Sequence, residues 1–177
     1  MKTTNTIIDS DLQIYVACLA SYNEGILHGA WIDATLGEDE IREEIAKILK
    51  SSSVPFAEEY AIHDYELSGV KIGEYESIEK VCDIASALSE CHNPELLALL
   101  YNENCLELDE AIDMLENCYI GKFDSLEEFG IHDIENQWIE IPDSIKYHID
   151  YESYGKELAY DYSVYELDNS LHFFYNY

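Results

Sequence analysis

Apolar positions recur along this chain with two different periods, and the change from one to the other marks out regions. Residues 12–20 (LQIYVACLA) and 26–33 (ILHGAWID) are apolar, β-branched and aromatic, and SYNEG between them carries turn residues. They predict a hairpin. From Glu38 to Lys50 the period becomes helical, with Ile41, Ile45, Ile48 and Leu49 on one face. Glu38, Asp39 and Glu40 fill its first turn, and Lys47 and Lys50 its last, as the helix dipole favours. Residues 59–67 (EYAIHDYEL) return to a strand pattern. Residues 1–70 are therefore expected to hold a small antiparallel sheet on one helix.

Residues 71–119 are helical in pattern. Ser77 caps a helix bearing Ile78, Val81, Ala85 and Leu88. Asn93-Pro94 opens a second, PELLALLY, a cap followed by proline at the first helical position. A third, Glu107 to Cys118, would turn Leu108, Ile112, Leu115 and Tyr119 inward, and its flank stacks Asp109, Asp113 and Glu116 at i, i+4 and i+7. Like charges so placed cost about 0.2–0.5 kcal/mol per pair, which interleaved lysines would relieve.

Residues 120–177 mix both periods. Ser125-Leu-Glu-Glu is a capping box for a short helix ending near Gly130, and Pro142 starts another through SIKYHI. DYESYGKEL makes one more, and YSVYELDNSLHFFYNY alternates as a hairpin about Asp168-Asn169-Ser170. The fold class predicted is α+β: a small antiparallel sheet plus helix, a central helical region and a C-terminal mixed α/β region. The apolar close LHFFYNY would be a hazardous free edge on a soluble monomer, so it, or the tyrosine-rich stretch before it, is expected to be covered in a homodimer.

Charge changes the picture most. The 177 residues hold 38 Asp plus Glu against nine Lys plus Arg, a net charge of -29. So few cations cannot neutralise phosphates, which excludes a nucleic-acid binder working through a basic footprint and disfavours anionic membranes. With 47% hydrophobic and 12% aromatic residues the chain can still bury a core. The imbalance is steeper towards the end, since residues 89–177 hold 21 acids and three lysines. No secretory signal pattern or membrane-length apolar run occurs, and five cysteines without a C-x-x-C pair read as reduced, mostly buried thiols. The expected compartment is the cytoplasm.

Motifs of catalysis are missing. There is no G-x-G-x-x-G, P-loop, H-E-x-x-H, G-x-S-x-G, EF-hand or zinc spacing, so no cofactor or metal is expected. His63-Asp64 and His132-Asp133 are the two His–acid neighbours worth weighing for a carboxylate/His-based enzyme. Successive strand residues point to opposite faces, however, and a structural His63 is the simpler reading.

Four explanations of the acidity compete: solubility, salt adaptation, weak cation binding, and a folded polyanion that occupies a basic DNA-binding groove. Salt adaptation would favour Asp and trim large apolar side chains, whereas the chain has 24 Glu, 14 Asp and 20 Ile. Duplex DNA carries one charge per ~1.7 Å of axis, so this net charge matches roughly 50 Å, or about 15 base pairs. A dimer would double that.

LASYNEGILHGAWID (19–33), EEYAIHDYEL (58–67) and IDYESYGKEL (149–158), in this order, resemble the ArdA family of antirestriction proteins, carried by conjugative plasmids, transposons and phages. The resemblance implies an elongated three-part chain mimicking bent B-form DNA: residues 1–70 with 1–11 as an extension, 71–119, and 120–177. It implies a non-enzymatic homodimer that binds the specificity and modification subunits of type I restriction-modification enzymes by filling the DNA groove of the methyltransferase core. The family's antirestriction segment is similar to residues 139–158, where Asp150, Tyr151, Glu152, Tyr154, Gly155 and Leu158 match, with Lys156 where arginine is common. An acidic immunity-type inhibitor of another DNA-binding protein is the alternative.

Within these motifs Trp31, Tyr151 and Tyr154 read as packing residues, and Gly25, Gly29 and Gly155 as turn or close-packing positions. The candidate partner-binding residues are the acids in the densest stretches: Asp109, Asp113, Glu116, Glu127, Glu128, Asp133, Glu135, Glu140, Asp143, Asp150, Glu152 and Glu157.

Overall fold

A computed structural model describes residues 11–104, 106–137 and 140–176. Ten of the eleven residues of the expected extension, Cys105, and Ile139 at the start of the family segment lie outside the described residues. The fold is α+β, with two compact units, Met1–Leu108 and Asp109–Tyr177.

In unit one, β1 (Gln13–Cys18) pairs antiparallel with both β2 (Gly29–Asp33) and β3 (Tyr60–Glu66), giving the order β2-β1-β3. The predicted hairpin is present, but its connection contains a single helical turn, α1 (Leu19–Asn23), before Gly25 adopts φ 74°. Ile14, Val16 and Cys18 alternate into the core, where Ile41, Ile45 and Ile48 of α2 (Glu38–Lys50) are also buried. Leu49 is only half-buried.

β3 carries a bulge. Tyr15 faces Asp64 while Val16 faces Ile62, so His63 is the extra residue. The bulge overrides strand alternation, and His63 and Asp64 are both exposed. They still form no acid–base pair: the His63 ring lies against Tyr22 and 3.7 Å from Glu74, while Asp64 accepts the Tyr65 amide.

α3 (Ile78–Glu90) starts where Ser77 accepts the Lys80 amide at 3.2 Å, and α4 (Pro94–Asn104) where Asn93 accepts that of Leu96 at 3.3 Å. The α3 face buries Ile78, Val81, Ile84, Ala85 and Leu88. Asn102 on α4 bonds both the Gly69 carbonyl and the Lys71 amide, holding this helix to the loop after β3.

Unit two opens with α5 (Leu108–Asp113), which widens into a π-helical turn over Met114–Cys118 and runs straight into β4 (Tyr119–Phe123). The expected inward face is corrected here: Ala111 and Met114 are the buried residues, while Ile112 and Leu115 are half-buried and Tyr119 is a strand residue. The wider turn changes the angular spacing that the α-helical period assumed.

β4 pairs with β6 (Ser170–Tyr175), which pairs in turn with β5 (Tyr162–Leu167), giving β4-β6-β5, all antiparallel. The closing hairpin turns on Asp168 and Asn169, both at positive φ (52° and 60°), as a two-residue type I′ turn requires. LHFFYNY is consequently not a free edge. Most of it forms the central strand, covered on both sides within the chain, whereas the tyrosine-rich stretch before it, β5, is an edge of the sheet.

Between β4 and β5 lie α6 (Leu126–Asn136), α7 (Asp143–Lys146) and α8 (Tyr151–Leu158). Phe123, Phe129 and Phe173 fill the core, with Phe129 and Phe173 stacked at 3.7 Å between centroids. Of the cysteines, Cys18 is buried and Cys82, Cys91 and Cys118 are half-buried, all four as free thiols.

Candidate functional site

All twelve acids singled out by density fall in unit two, on α5 and its π turn, on α6, and along residues 140–157. Backbone packing decides how they are presented. α6 begins where the Ser125 hydroxyl accepts the Glu128 amide at 3.1 Å and the Glu128 carboxylate accepts the Asp124 amide at 2.6 Å, a capping box displaced by one residue.

The helix does not stop near Gly130, as the sequence suggested, but runs on to Asn136. Gly130 is instead where α8 crosses. A Cβ there would lie 2.5 Å from the Tyr151 carbonyl oxygen, and one at Gly155 would overlap the Leu126 carbonyl. Two glycines on facing helices let the backbones touch. Asp133 then locks the pair, accepting the Tyr154 hydroxyl at 2.7 Å and the Gln137 side-chain amide at 2.6 Å.

This packing sorts the acids. Five are engaged in local structure. Asp133 joins the helices, Asp113 accepts from Asn117, Glu128 caps α6, Asp143 faces Lys146 at 3.2 Å, and Asp150 caps α8 by accepting the Ser153 amide and hydroxyl. Those bonds from Ser153 hold the Asp150 carboxyl below its ordinary range. The other seven, Asp109, Glu116, Glu127, Glu135, Glu140, Glu152 and Glu157, are exposed. On α6 the helical period places Glu127, Glu128 and Glu135 within one 100° sector, away from buried Phe129 and Gly130.

Ranking by density missed five more exposed acids of the same unit: Glu110, Asp124, Asp161, Glu166 and Asp168. Glu110 adjoins Asp109, and the other four stand singly in the sequence. The unit has 17 acids and three lysines. Lys146 pairs with Asp143 on its own short helix, while Lys122 and Lys156 are exposed.

The titratable groups beneath this surface are shifted by their surroundings. Donation to Asp133 raises the Tyr154 hydroxyl, burial raises Tyr119 and Tyr162, and burial beside Lys122 lowers His172. His172 meets the Tyr119 hydroxyl at 3.0 Å, and His132 meets the Asn136 amide at 2.7 Å. Both read as structural. Among the described residues no three of His, Cys, Asp and Glu converge as metal ligands would, and no helix is long and apolar enough to cross a membrane.

The sequence model of a family described as antirestriction protein (ArdA) matches residues 14–173. Among curated proteins, none matches the chain.

Proposed function

The chain belongs to the ArdA family of antirestriction proteins, and from that membership we propose that it is a non-enzymatic DNA mimic, inhibiting type I restriction-modification enzymes from within the DNA groove of their methyltransferase core. The observation that carries this reading is the acid of unit two, where ten of the twelve candidate carboxylates are exposed and, among the described residues, none of the twelve pairs with a cation from another element.

The spacing supports it. α6 rises about 16 Å over its 11 residues and carries four acids and no cation, or one acid per ~4 Å. One DNA strand presents a charge every 3.4 Å of axis. A groove lined with lysine and arginine for phosphates thus meets carboxylates at a comparable linear density. No bond is made or broken: inhibition is occupancy, and affinity is the sum of many screened contacts of about 0.2–1 kcal/mol each. The working form in this reading is a cytoplasmic homodimer, which doubles the length of groove that can be filled, with the specificity and modification subunits as its partners. The twelve acids named above are the proposed contact set.

Competition tests it. Purified protein should displace duplex DNA from a type I methyltransferase at fixed salt. Neutralising Glu127, Glu128 and Glu135 together should weaken displacement in a graded manner. A single Asp or Glu substitution that abolishes inhibition, with fold and assembly intact, would point to an active site instead.

A further inference from the structure

We propose that the cleft between α6 and residues 140–146 accepts an arginine side chain, with the turn of chain that bears it, from a basic segment of the protein's target. The proposal deepens the inhibitor reading above and rests on it.

The cleft has a volume of about 660 Å³, within the range of sites that hold small ligands. Ile131, Ile134 and Glu135 line it from α6, and Glu140, Ile141, Pro142 and Asp143 from the following segment. With Lys146 and Tyr151 completing the lining, it combines aliphatic surface with three carboxylates, of which Asp143 is paired with Lys146 and, among the described residues, Glu135 and Glu140 are not paired. Phosphate mimicry alone calls for the carboxylates but not for the aliphatic surface. An apolar occupant would desolvate the carboxylates without a partner, and an inorganic cation would leave the aliphatic groups bare. An arginine satisfies both: its methylene stem packs on isoleucine and proline, and its planar, weakly hydrated guanidinium reaches carboxylates on both walls. Lys146 already displays this chemistry at one corner, with its ammonium 3.2 Å from Asp143. Among the described residues, Glu135 and Glu140 have no ion-pair partner.

The test is methyl NMR of the full chain labelled at isoleucine, titrated with acetyl-Gly-Arg-Gly-amide and with its citrulline and norleucine counterparts. The arginine peptide should shift the Ile131, Ile134 and Ile141 methyls saturably and bind about three- to tenfold tighter than either neutral peptide, as two screened contacts would give. Equal affinity for the three peptides, or shifts spread evenly to isoleucines such as Ile26 and Ile72, would overturn the proposal. Glu135→Gln/Glu140→Gln should bring arginine binding down to the citrulline level while the methyl spectrum stays folded.

A second arm measures displacement of duplex DNA from a type I methyltransferase. Glu135→Gln/Glu140→Gln should weaken displacement about fivefold more than Glu152→Gln/Glu157→Gln, which removes equal charge from α8. Equal losses would make the cleft no more than part of a distributed surface, and the proposal would fail while the inhibitor reading stood. If the unaltered protein displaced no DNA, the inhibitor reading would fail and the peptide titration would still decide the cleft.

Discussion

Unit one and unit two each set a three-stranded antiparallel sheet beside helices, yet they fill their cores and place their charges differently. In unit one the core is aliphatic, built from Ile14, Val16, Ile41, Ile45, Val81, Ile84 and Leu100, and among the described residues its cations form three local ion pairs with some of its acids. Arg42 pairs with Glu38, Lys47 with Glu44 and Lys80 with Glu76, each one turn apart. In unit two the core is a stack of phenyl rings joined to a helix pair in contact at Gly130 and Gly155, and among the described residues Lys146 is the one lysine of the unit with an ion pair. Aromatic burial and backbone contact pack the centre of this small unit, and the ion pair of Lys146 with Asp143 lies at the surface. Under the proposed function, its surface carboxylates are the groups that meet the partner. That contrast is the physical content of the functional reading.

The sharpest way to break the comparison is to remove what holds unit two. Phe173→Ala deletes the ring stacked on Phe129 and should cost about 3–5 kcal/mol. Hydrogen exchange should show protection falling over residues 119–175. Ile45→Ala, of comparable cost at about 2–5 kcal/mol, should place its loss in the sheet and α2 of unit one. If both substitutions lowered protection uniformly over the whole chain, the two units would not be separate in stability.

Gly155→Ala is next, at about 1–3 kcal/mol, because its Cβ overlaps the Leu126 carbonyl and α8 must move away from α6. Gly25→Ala, in unit one, meets no neighbour within 4 Å and suffers only from its positive φ, so denaturant melts should rank it the milder. The reverse order would contradict the role given to the helix crossing. Tyr154→Phe, which removes the bond to Asp133, should cost about 0.5–1.5 kcal/mol.

Protonation separates the units further. His172 is buried and its pKa is lowered, so the unfolded chain binds the proton more readily. Its contribution is whole above the ordinary histidine range and is lost as pH falls through the lowered value. The raised Tyr119, Tyr154 and Tyr162 act at the other end. Their contribution is whole below the ordinary tyrosine range and is lost as pH rises through the raised values. Melts against pH should weaken unit two on both sides of neutrality, and His172→Gln should flatten the acid limb. An acid limb unchanged by that substitution would remove His172 from the account.

Much of this was legible in the sequence because local chemistry dictated it. Ser77, Asn93-Pro94 and Ser125 mark helix starts through hydrogen bonds that the structure contains, and Asp168-Asn169 can take the positive φ its turn needs. What was hidden depends on partners distant in sequence. YIGKF is short and interrupted by Gly121-Lys122, so it does not announce β4, and LHFFYNY looked like an edge when it is the centre of a sheet. Gly130 looked like a helix stop because a stop and a close helix crossing ask the same thing of a residue: no Cβ. The site was readable as a density of acids. Which of them are tied down, as Asp133 and Asp150 are, could not be read, since the ties come from Tyr154 across a crossing and from cap geometry.

The smallest single effects are those at the surface, where Glu127→Gln alone should weaken binding by about 0.2–1 kcal/mol, and the central claim is best tested with the surface whole. The measurement is titration of a type I methyltransferase–duplex complex with the unaltered protein across roughly 50–300 mM salt, where the screening length shrinks towards side-chain dimensions. The duplex should leave as the protein binds. Irregular carboxylates partly offset by nine bases condense fewer counterions than DNA, so the protein's affinity should fall less steeply with salt and its advantage as a competitor should grow. A ternary complex that retains its duplex would contradict the claim that the protein occupies the DNA groove.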